Sequence, residues 1–263
     1  MLLALTGTDG TGKSTVTRAV VSTLCARGYR ARVVDRWDIV AGPGFPSASF
    51  LPDDVPGIRS CVADMPVVPR FLFLMWSMGM ALQAGRPAAD DEVLVLDGYW
   101  MKHAAAETAY GLDESWVRGV VSALPVPDVT VRLRLPLEDA WARKQGDLVP
   151  YECGMDPSTS RAAFLAHQRA IADRLDAWGA ELGWTGVTAD APPALVAAEV
   201  ADIACAVLAP NATRDAPRSA TRGTAPYAPS YALPSGVGCA IAPGRSGAGL
   251  RTAVVPTRTE CLA

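Results

Sequence analysis

Leu2-Leu3-Ala4-Leu5-Thr6 runs directly into Gly7-Thr8-Asp9-Gly10-Thr11-Gly12-Lys13-Ser14-Thr15, a complete GxxxxGK[ST] element. The unbroken apolar run suits a strand covered on both faces. After the element, Val16, Ala19, Val20 and Leu24 recur at helical spacing as far as Gly28, a C-cap residue. The glycine-rich stretch therefore sits where a strand turns into a helix. There its glycines let the backbone curl so that the N–H groups of Gly7 to Thr15 face phosphate oxygens, with the positive end of the helix behind them. In such a loop Lys13 reaches the β- and γ-phosphates of a nucleotide and the Ser14 hydroxyl binds Mg²⁺.

Further along, Ala31–Val34 is a second apolar strand ending in Asp35, Val93–Leu96 a third running into Asp97, and Val129–Leu135 a fourth; Trp184–Val187 is a weaker fifth. Helices are expected at Arg70–Ala84, Met101–Ala109, Asp113–Leu124, Leu137–Lys144, Arg161–Leu182 and Pro193–Leu208. Residues 41–69, rich in Pro and Gly, read as loop with one short helix, and 145–160 as a polar lid. Strand and helix alternate without hairpin signals, which predicts an α/β fold on a mostly parallel sheet. One domain is expected over 1–210. Of the last 53 residues, 33 are Ala, Gly, Pro, Ser or Thr, so 211–263 is expected to stay disordered for want of apolar surface to bury.

The 263 residues are 50% hydrophobic, enough for one sizeable core. Residues 211–263 carry a net +4, which leaves −7 on residues 1–210 of the formal −3. An acidic domain argues against a nucleic-acid partner, which would require a basic face. No signal peptide is read at the start. The longest oily run, Phe71–Leu82, is too short to span a bilayer, so no membrane partner and a cytoplasmic location are expected. None of the six cysteines makes CxxC or metal-ligand spacing; Cys25 and Cys205 read as small core residues, and Cys153 as the one in a polar loop.

Asp97 stands at the C-terminal end of a buried strand, where α/β proteins place ligands, and suits Mg²⁺ or one of its waters. Asp35 holds the equivalent end of the second strand, either contacting substrate or pairing with Arg36. Phosphoryl transfer needs cations over the moving group; Arg143, with Lys144 and Arg161, is placed for this at the lid edges. Arg36 and Arg70 are candidate forks for an acceptor phosphate. Tyr99, Trp100, Phe71 and Phe73 offer rings that either stack on a flat acceptor or pack in the core. His103 and His167 lie in polar helical stretches with no partner suggesting a triad.

Over residues 1 to about 208 this layout resembles the thymidylate kinase family of nucleoside monophosphate kinases. The resemblance rests on GTDGTGKST at 7–15, LVLDGYW at 94–100, AYGLDESWV at 109–117 and LRLPLEDAWARK at 133–144. It implies a P-loop kinase fold, a five-stranded parallel sheet flanked by helices with a short lid. It also implies ATP and Mg²⁺ as cofactors, transfer of the γ-phosphate to dTMP, and a homodimer. By the same resemblance Asp9 approaches the acceptor phosphate and the transferred group, and Asp97 and Tyr99 match the family's Asp and Tyr. Two departures stand out. Gly98 replaces an Arg, and Met75-Trp76-Ser77-Met78 replaces an Ala-Asp-Arg cluster. The acceptor thus stays open between dTMP or a related pyrimidine nucleotide and a nucleoside or other small alcohol of specialised metabolism, and a non-catalytic nucleotide-binding protein is a third reading. A guanine switch is disfavoured, because the chain's one Asn, Asn211, supplies no base-reading element.

Overall fold

The structure, a computed structural model, describes residues 1–40, 44–84 and 92–212. The tail expected from residue 211 lies outside these residues except for its first two, which continue the last helix. β1 (Leu2–Thr6) is the middle strand. It is flanked by β3 (Glu92–Asp97) and β4 (Val129–Arg134), with β2 (Arg30–Val34) and β5 (Thr185–Thr188) at the edges. All neighbours are parallel, in the order β2-β3-β1-β4-β5. The five-stranded parallel α/β fold is therefore as expected, with strand boundaries shifted by one residue and helix ends by up to four. Leu5 pairs with Asp97 and Val131, which brings the end of β3 level with the start of the glycine loop. The chain order reverses around β1, the switch point at which such sheets bind ligands.

Both faces of the sheet are covered, as its apolar strands require. Leu3, Leu5, Val93, Val95, Val131 and Leu133 face α1 (Lys13–Ala26) and α8 (Pro193–Ala212), meeting Val20, Leu24 and Val200. Ala4, Leu94 and Leu96 face the other way, toward α3 (Val67–Ala84), α4 (Trp100–Ala109), α5 (Glu114–Val121) and α7 (Arg161–Leu182). Each fully buried Leu or Val contributes about 1.5–3 kcal/mol. β4 alternates more sharply than its composition suggests. Thr130, Arg132 and Arg134 take the α7 face, and Asp176 of α7 answers both arginines at 3.3 and 3.2 Å.

The segment 41–69 contains more order than one short helix. Just before it, Asp35 caps a 3-10 turn at Arg36–Ile39 by accepting from the Trp37 amide at 3.1 Å, and within it a turn stands at Pro46–Ala48. Asp54 then caps α2 (Val55–Asp64), accepting from the Gly57 amide at 3.0 Å. The cysteine expectation is corrected in the same way. Cys25 is exposed and Cys205 only half-buried, whereas Cys153, within the lid, is buried against Leu135, Ala140 and Phe164. The Val16–Val20–Leu24 stripe of α1 faces the sheet, and Cys25, one residue on, is turned about 100° away from it.

α4 departs furthest from a sequence reading. Seven consecutive residues, Met101 to Glu107, are buried, among them Lys102, His103 and Glu107. A helix so enclosed needs partners for its polar groups, and of these His103 Nδ1 is left buried without one. Glu107 receives a two-pronged bond from Arg70 at 2.7 and 2.9 Å and accepts from the Tyr151 hydroxyl at 3.1 Å. The remaining Arg70 nitrogen donates to the Ala63 and Met65 carbonyls at the end of α2. Arg70 thus joins α2, α3 and α4. His167 of α7 lies 4.8 Å from the Tyr110 ring, and its Nε2 is buried without a partner.

Two predictions follow from these contacts. Glu107→Ala leaves the Arg70 guanidinium buried and unpaired, and is expected to cost about 3–5 kcal/mol in chemical denaturation; a loss below about 1 kcal/mol would contradict a buried ion pair. Burial, then the Lys102 and Arg70 charges, push the His167 imidazole down to about 4 against the pull of Asp9. Between pH 6.5 and about 4 the unfolded chain takes up this proton and the folded chain does not, so acidification through that window favours unfolding. On the order of 3 kcal/mol is lost across it. His167→Gln should flatten the stability curve over that range, and parallel wild-type and variant curves would exclude the assignment.

Candidate active site

The glycine loop is shaped by two left-handed residues and by its neighbours. Gly10 and Gly12 both have φ +82°. A Cβ on Gly10 would lie 2.5 Å from the Ala140 carbonyl oxygen, so α6 (Leu137–Lys144) packs directly on the loop. Thr11 Oγ1 and Lys13 Nζ both donate to the Thr8 carbonyl, at 2.8 and 2.6 Å. α1 begins at Gly12 with no side chain capping its first amides. Uncapped donors at the start of a 14-residue helix, with an ammonium folded over them, are the donor set that phosphate oxygens require.

Asp9 lies at the centre of the cluster. Its backbone N–H donates to Gln168 Oε1 at 2.8 Å, and Gln168 Nε2 returns a bond to the Asp9 carboxylate at 3.1 Å. Lys102 Nζ reaches the same carboxylate at 3.0 Å. Burial opposes the Asp9 charge, but Lys102 and Lys13 more than offset it and hold the carboxyl well below the usual range. Burial pushes Lys13 down to about 8, with Asp9 and Asp97 resisting. Nearby, Arg36 Nη1 donates to His103 Nε2 at 2.8 Å, so the histidine proton resides on Nδ1. Burial and the charges of Arg36, Lys102 and Lys13 keep His103 neutral.

The segment expected to form a lid is docked over this cluster. A 3-10 turn at Pro150–Cys153 places the Tyr151 ring 5.1 Å from the Arg70 guanidinium and 5.3 Å from Lys102 Nζ. Gln168 Nε2 also donates to the Glu152 carbonyl at 2.9 Å, and Lys144 pairs with the Glu152 carboxylate at 3.0 Å. Arg143 donates to the Ala189 carbonyl at 3.0 Å and passes 3.9 Å from where a Gly12 Cβ would stand, so it reaches the loop. Arg161 pairs with Glu138 on the exposed side.

The candidate residues separate by location. Lys13, Asp9, Asp97, Arg36 and Arg143 gather at the carboxyl ends of β1, β2, β3 and the lid edge. Arg36, Asp97, Gly98 and Tyr99 line a crevice of about 10 Å³ with Met78 and Leu82 of α3. That is room for one water. Asp35 is occupied as a cap. Arg70 is not an open fork, because Glu107 and two carbonyls engage its donors. Phe71 is fully buried with its ring 5.6 Å from Trp116, so it belongs to the core. Tyr99 is buried too, its hydroxyl donating to the Pro125 carbonyl at 2.9 Å. Lys102, Gln168 and Tyr151 were not anticipated. The one signal for Lys102 is its position in an Ala-rich helix, whose small residues let the helix approach the loop closely.

Among the described residues no group of three acidic, His or Cys side chains could hold a metal. Mg²⁺ nevertheless fits, because it commonly takes one or two protein oxygens and completes its shell with phosphates and water. Ser14 is exposed on the first turn of α1 and Asp97 is half-buried beside Lys13, and neither hydrogen-bonds another described side chain. A roomier cavity of about 460 Å³ lies by Trp100, Trp184, Val129 and Thr185. It opens at the amino ends of β4 and β5, the opposite end from the loop.

No family model matches the chain. Among curated proteins, the probable thymidylate kinase 1 of Saccharolobus solfataricus is 26% identical over 153 residues, 57% of this chain and 74% of its own length. The probable thymidylate kinase of Archaeoglobus fulgidus is 28% identical over 156 residues, 58% of this chain and 74% of its own. The thymidylate kinase of Homo sapiens is 30% identical over 156 residues, covering 58% of this chain and 69% of its own. With 30% identity over more than two thirds of the human enzyme, this chain belongs to the thymidylate kinase family.

Proposed function

We propose that the protein is a nucleoside monophosphate kinase, most simply of dTMP or a related pyrimidine nucleotide, that uses ATP and Mg²⁺. The observation that carries this reading is the uncapped start of α1, with Lys13 folded across the loop onto the Thr8 carbonyl. The amides of residues 7–15 and Lys13 hold the β- and γ-phosphates, and Ser14 and Asp97 hold Mg²⁺, which when bound neutralises charge on those phosphates. Arg143 covers the donor side from the lid edge. Arg36 is the acceptor fork, because its Nε is buried without a partner and its Nη1 meets only a neutral imidazole. Asp9 orients the acceptor beside the transferred group. The crevice at Arg36 admits a group of water size, so the acceptor must displace the side chains around it. Because the transfer needs charge stabilisation rather than a covalent side chain, no His or Cys is required.

One kinase domain over 1–210, cytoplasmic where ATP is available, completes the reading. No described helix is long and apolar enough to cross a membrane.

Supplied with ATP and Mg²⁺, the protein is expected to phosphorylate a nucleoside monophosphate and not its parent nucleoside. Product from nucleosides alone would favour the small-alcohol reading, and ATP binding without transfer to any acceptor would favour a non-catalytic one. Lys13→Ala should lower kcat by about a hundredfold or more through lost charge stabilisation; full activity in that variant would remove the loop from the chemistry.

We also propose that two copies pair through α3. Val68 and Leu72 are exposed on consecutive turns beside Trp76, whose ring lies 5.5 Å from the largely exposed Phe50. Sedimentation should give a dimer that Leu72→Glu dissociates; a wild-type monomer at micromolar concentration would exclude this.

A further inference from the structure

Five charged side chains meet at the acceptor side of the glycine loop. Lys13, Lys102 and Arg36 supply the cations, and Asp9 and Asp97 the carboxylates, while Asp35 and Arg59 offset one another around Arg36. The His103 imidazole lies among the three cations as a neutral acceptor to Arg36 and compensates none of them. The cluster therefore carries one positive charge more than it neutralises. A partly buried excess cation is costly unless an anion completes the set.

Arg36 has no carboxylate at hydrogen-bond distance and its Nε is buried without a partner, whereas Lys102 is a buried cation with one carboxylate to share. The Lys102 side chain is 7% exposed, on a helix that also buries His103 and Glu107 among its alanines. Asp9 is its ion-pair partner, and an ammonium has three N–H groups to place. The Tyr151 ring of the docked lid covers it at 5.3 Å. Arg70, the nearest comparable cation, differs in having every donor nitrogen bonded. Position 98 also matters here. A Cβ on Gly98 would stand 3.8 Å from Lys13 Cε, at φ +62°, so a side chain there would enter the same cluster, and this chain has none.

We propose that Lys102 is an acceptor-binding residue whose ammonium, kept in place by Asp9, contacts the anionic group of the acceptor and makes the site select a nucleoside monophosphate over the nucleoside. This assignment rests on the kinase reading above and adds a specificity determinant to it. Lys102 and Arg36 approach the acceptor phosphate from the α4 and β2 sides, leaving Lys13 to the donor phosphates. Tyr151 of the docked lid covers the ammonium at 5.3 Å.

The test is the ratio of nucleoside to monophosphate dissociation constants, measured by calorimetry on the full chain for thymidine and dTMP and for other pyrimidine pairs. In Lys102→Met and Lys102→Gln the ratio should fall by about tenfold or more, as expected for a lost charge-assisted contact. Nucleoside affinity should hold within about twofold, and Lys102→Arg should keep most of the preference. Glutamine is neutral yet still donates to Asp9, so it decides the matter if methionine cannot be accommodated. A ratio unchanged in both neutral variants, or nucleoside and monophosphate affinities lost together, would overturn the role of Lys102 while leaving the kinase reading intact. Wild-type protein that prefers no monophosphate over its nucleoside would bring down the nucleotide-kinase reading and this assignment with it.

Discussion

The site is organised by one carboxylate. Asp9 belongs to the glycine loop, yet its partners come from α4 and α7: the Lys102 ammonium at 3.0 Å and the Gln168 amide, which both gives and receives a bond. The same Gln168 also donates to the lid at the Glu152 carbonyl. Loop, two helices and lid are thus held to one buried charge whose ionised form the surrounding cations enforce. Any displacement of α4 or α7 would change the electrostatics at Lys13, because Lys13, Asp9 and Lys102 sense one another directly.

Around that carboxylate the molecule sorts its cations by task. Arg70, Arg132 and Arg118 are bound to Glu107, Asp176 and Glu181, where they join elements of the fold. Lys13, Arg36 and Lys102 lie around the glycine loop with fewer carboxylates than they would need for neutrality. This uneven pairing separates structural arginines from those available to phosphate more clearly than residue type does. The positive potential is narrow and local, in a domain whose overall charge is negative.

Much of the fold was legible because its physics is local. Apolar runs of four to six residues followed by amphipathic stretches predict parallel strands and crossover helices, and all five strands stand where they were read, within a residue or two. The glycine loop was equally legible, since its φ values, helix start and lysine are consecutive in the chain. Arg70 and Phe71 were not. Both suit an acceptor site by chemistry, and both are buried because α3 turns that face toward α4 and α5, a choice no periodicity encodes in a helix apolar on nearly every side. Lys102, His103 and Glu107 were missed for the converse reason. Polar residues on a short helix read as a solvated face, and here each is matched to a partner more than thirty positions away.

The sequence by itself determined the nucleotide end of the molecule: strand, glycine loop, helix and lysine form one continuous segment whose geometry follows from the backbone preferences of its own residues. Only the tertiary structure decided the acceptor end. There the candidate groups come from β2, β3, α4, α7 and the lid, and which cations stay unpaired depends on which carboxylates the packing brings within reach. That is a property of through-space distance in a low-dielectric interior, and neighbouring positions along the chain carry no record of it.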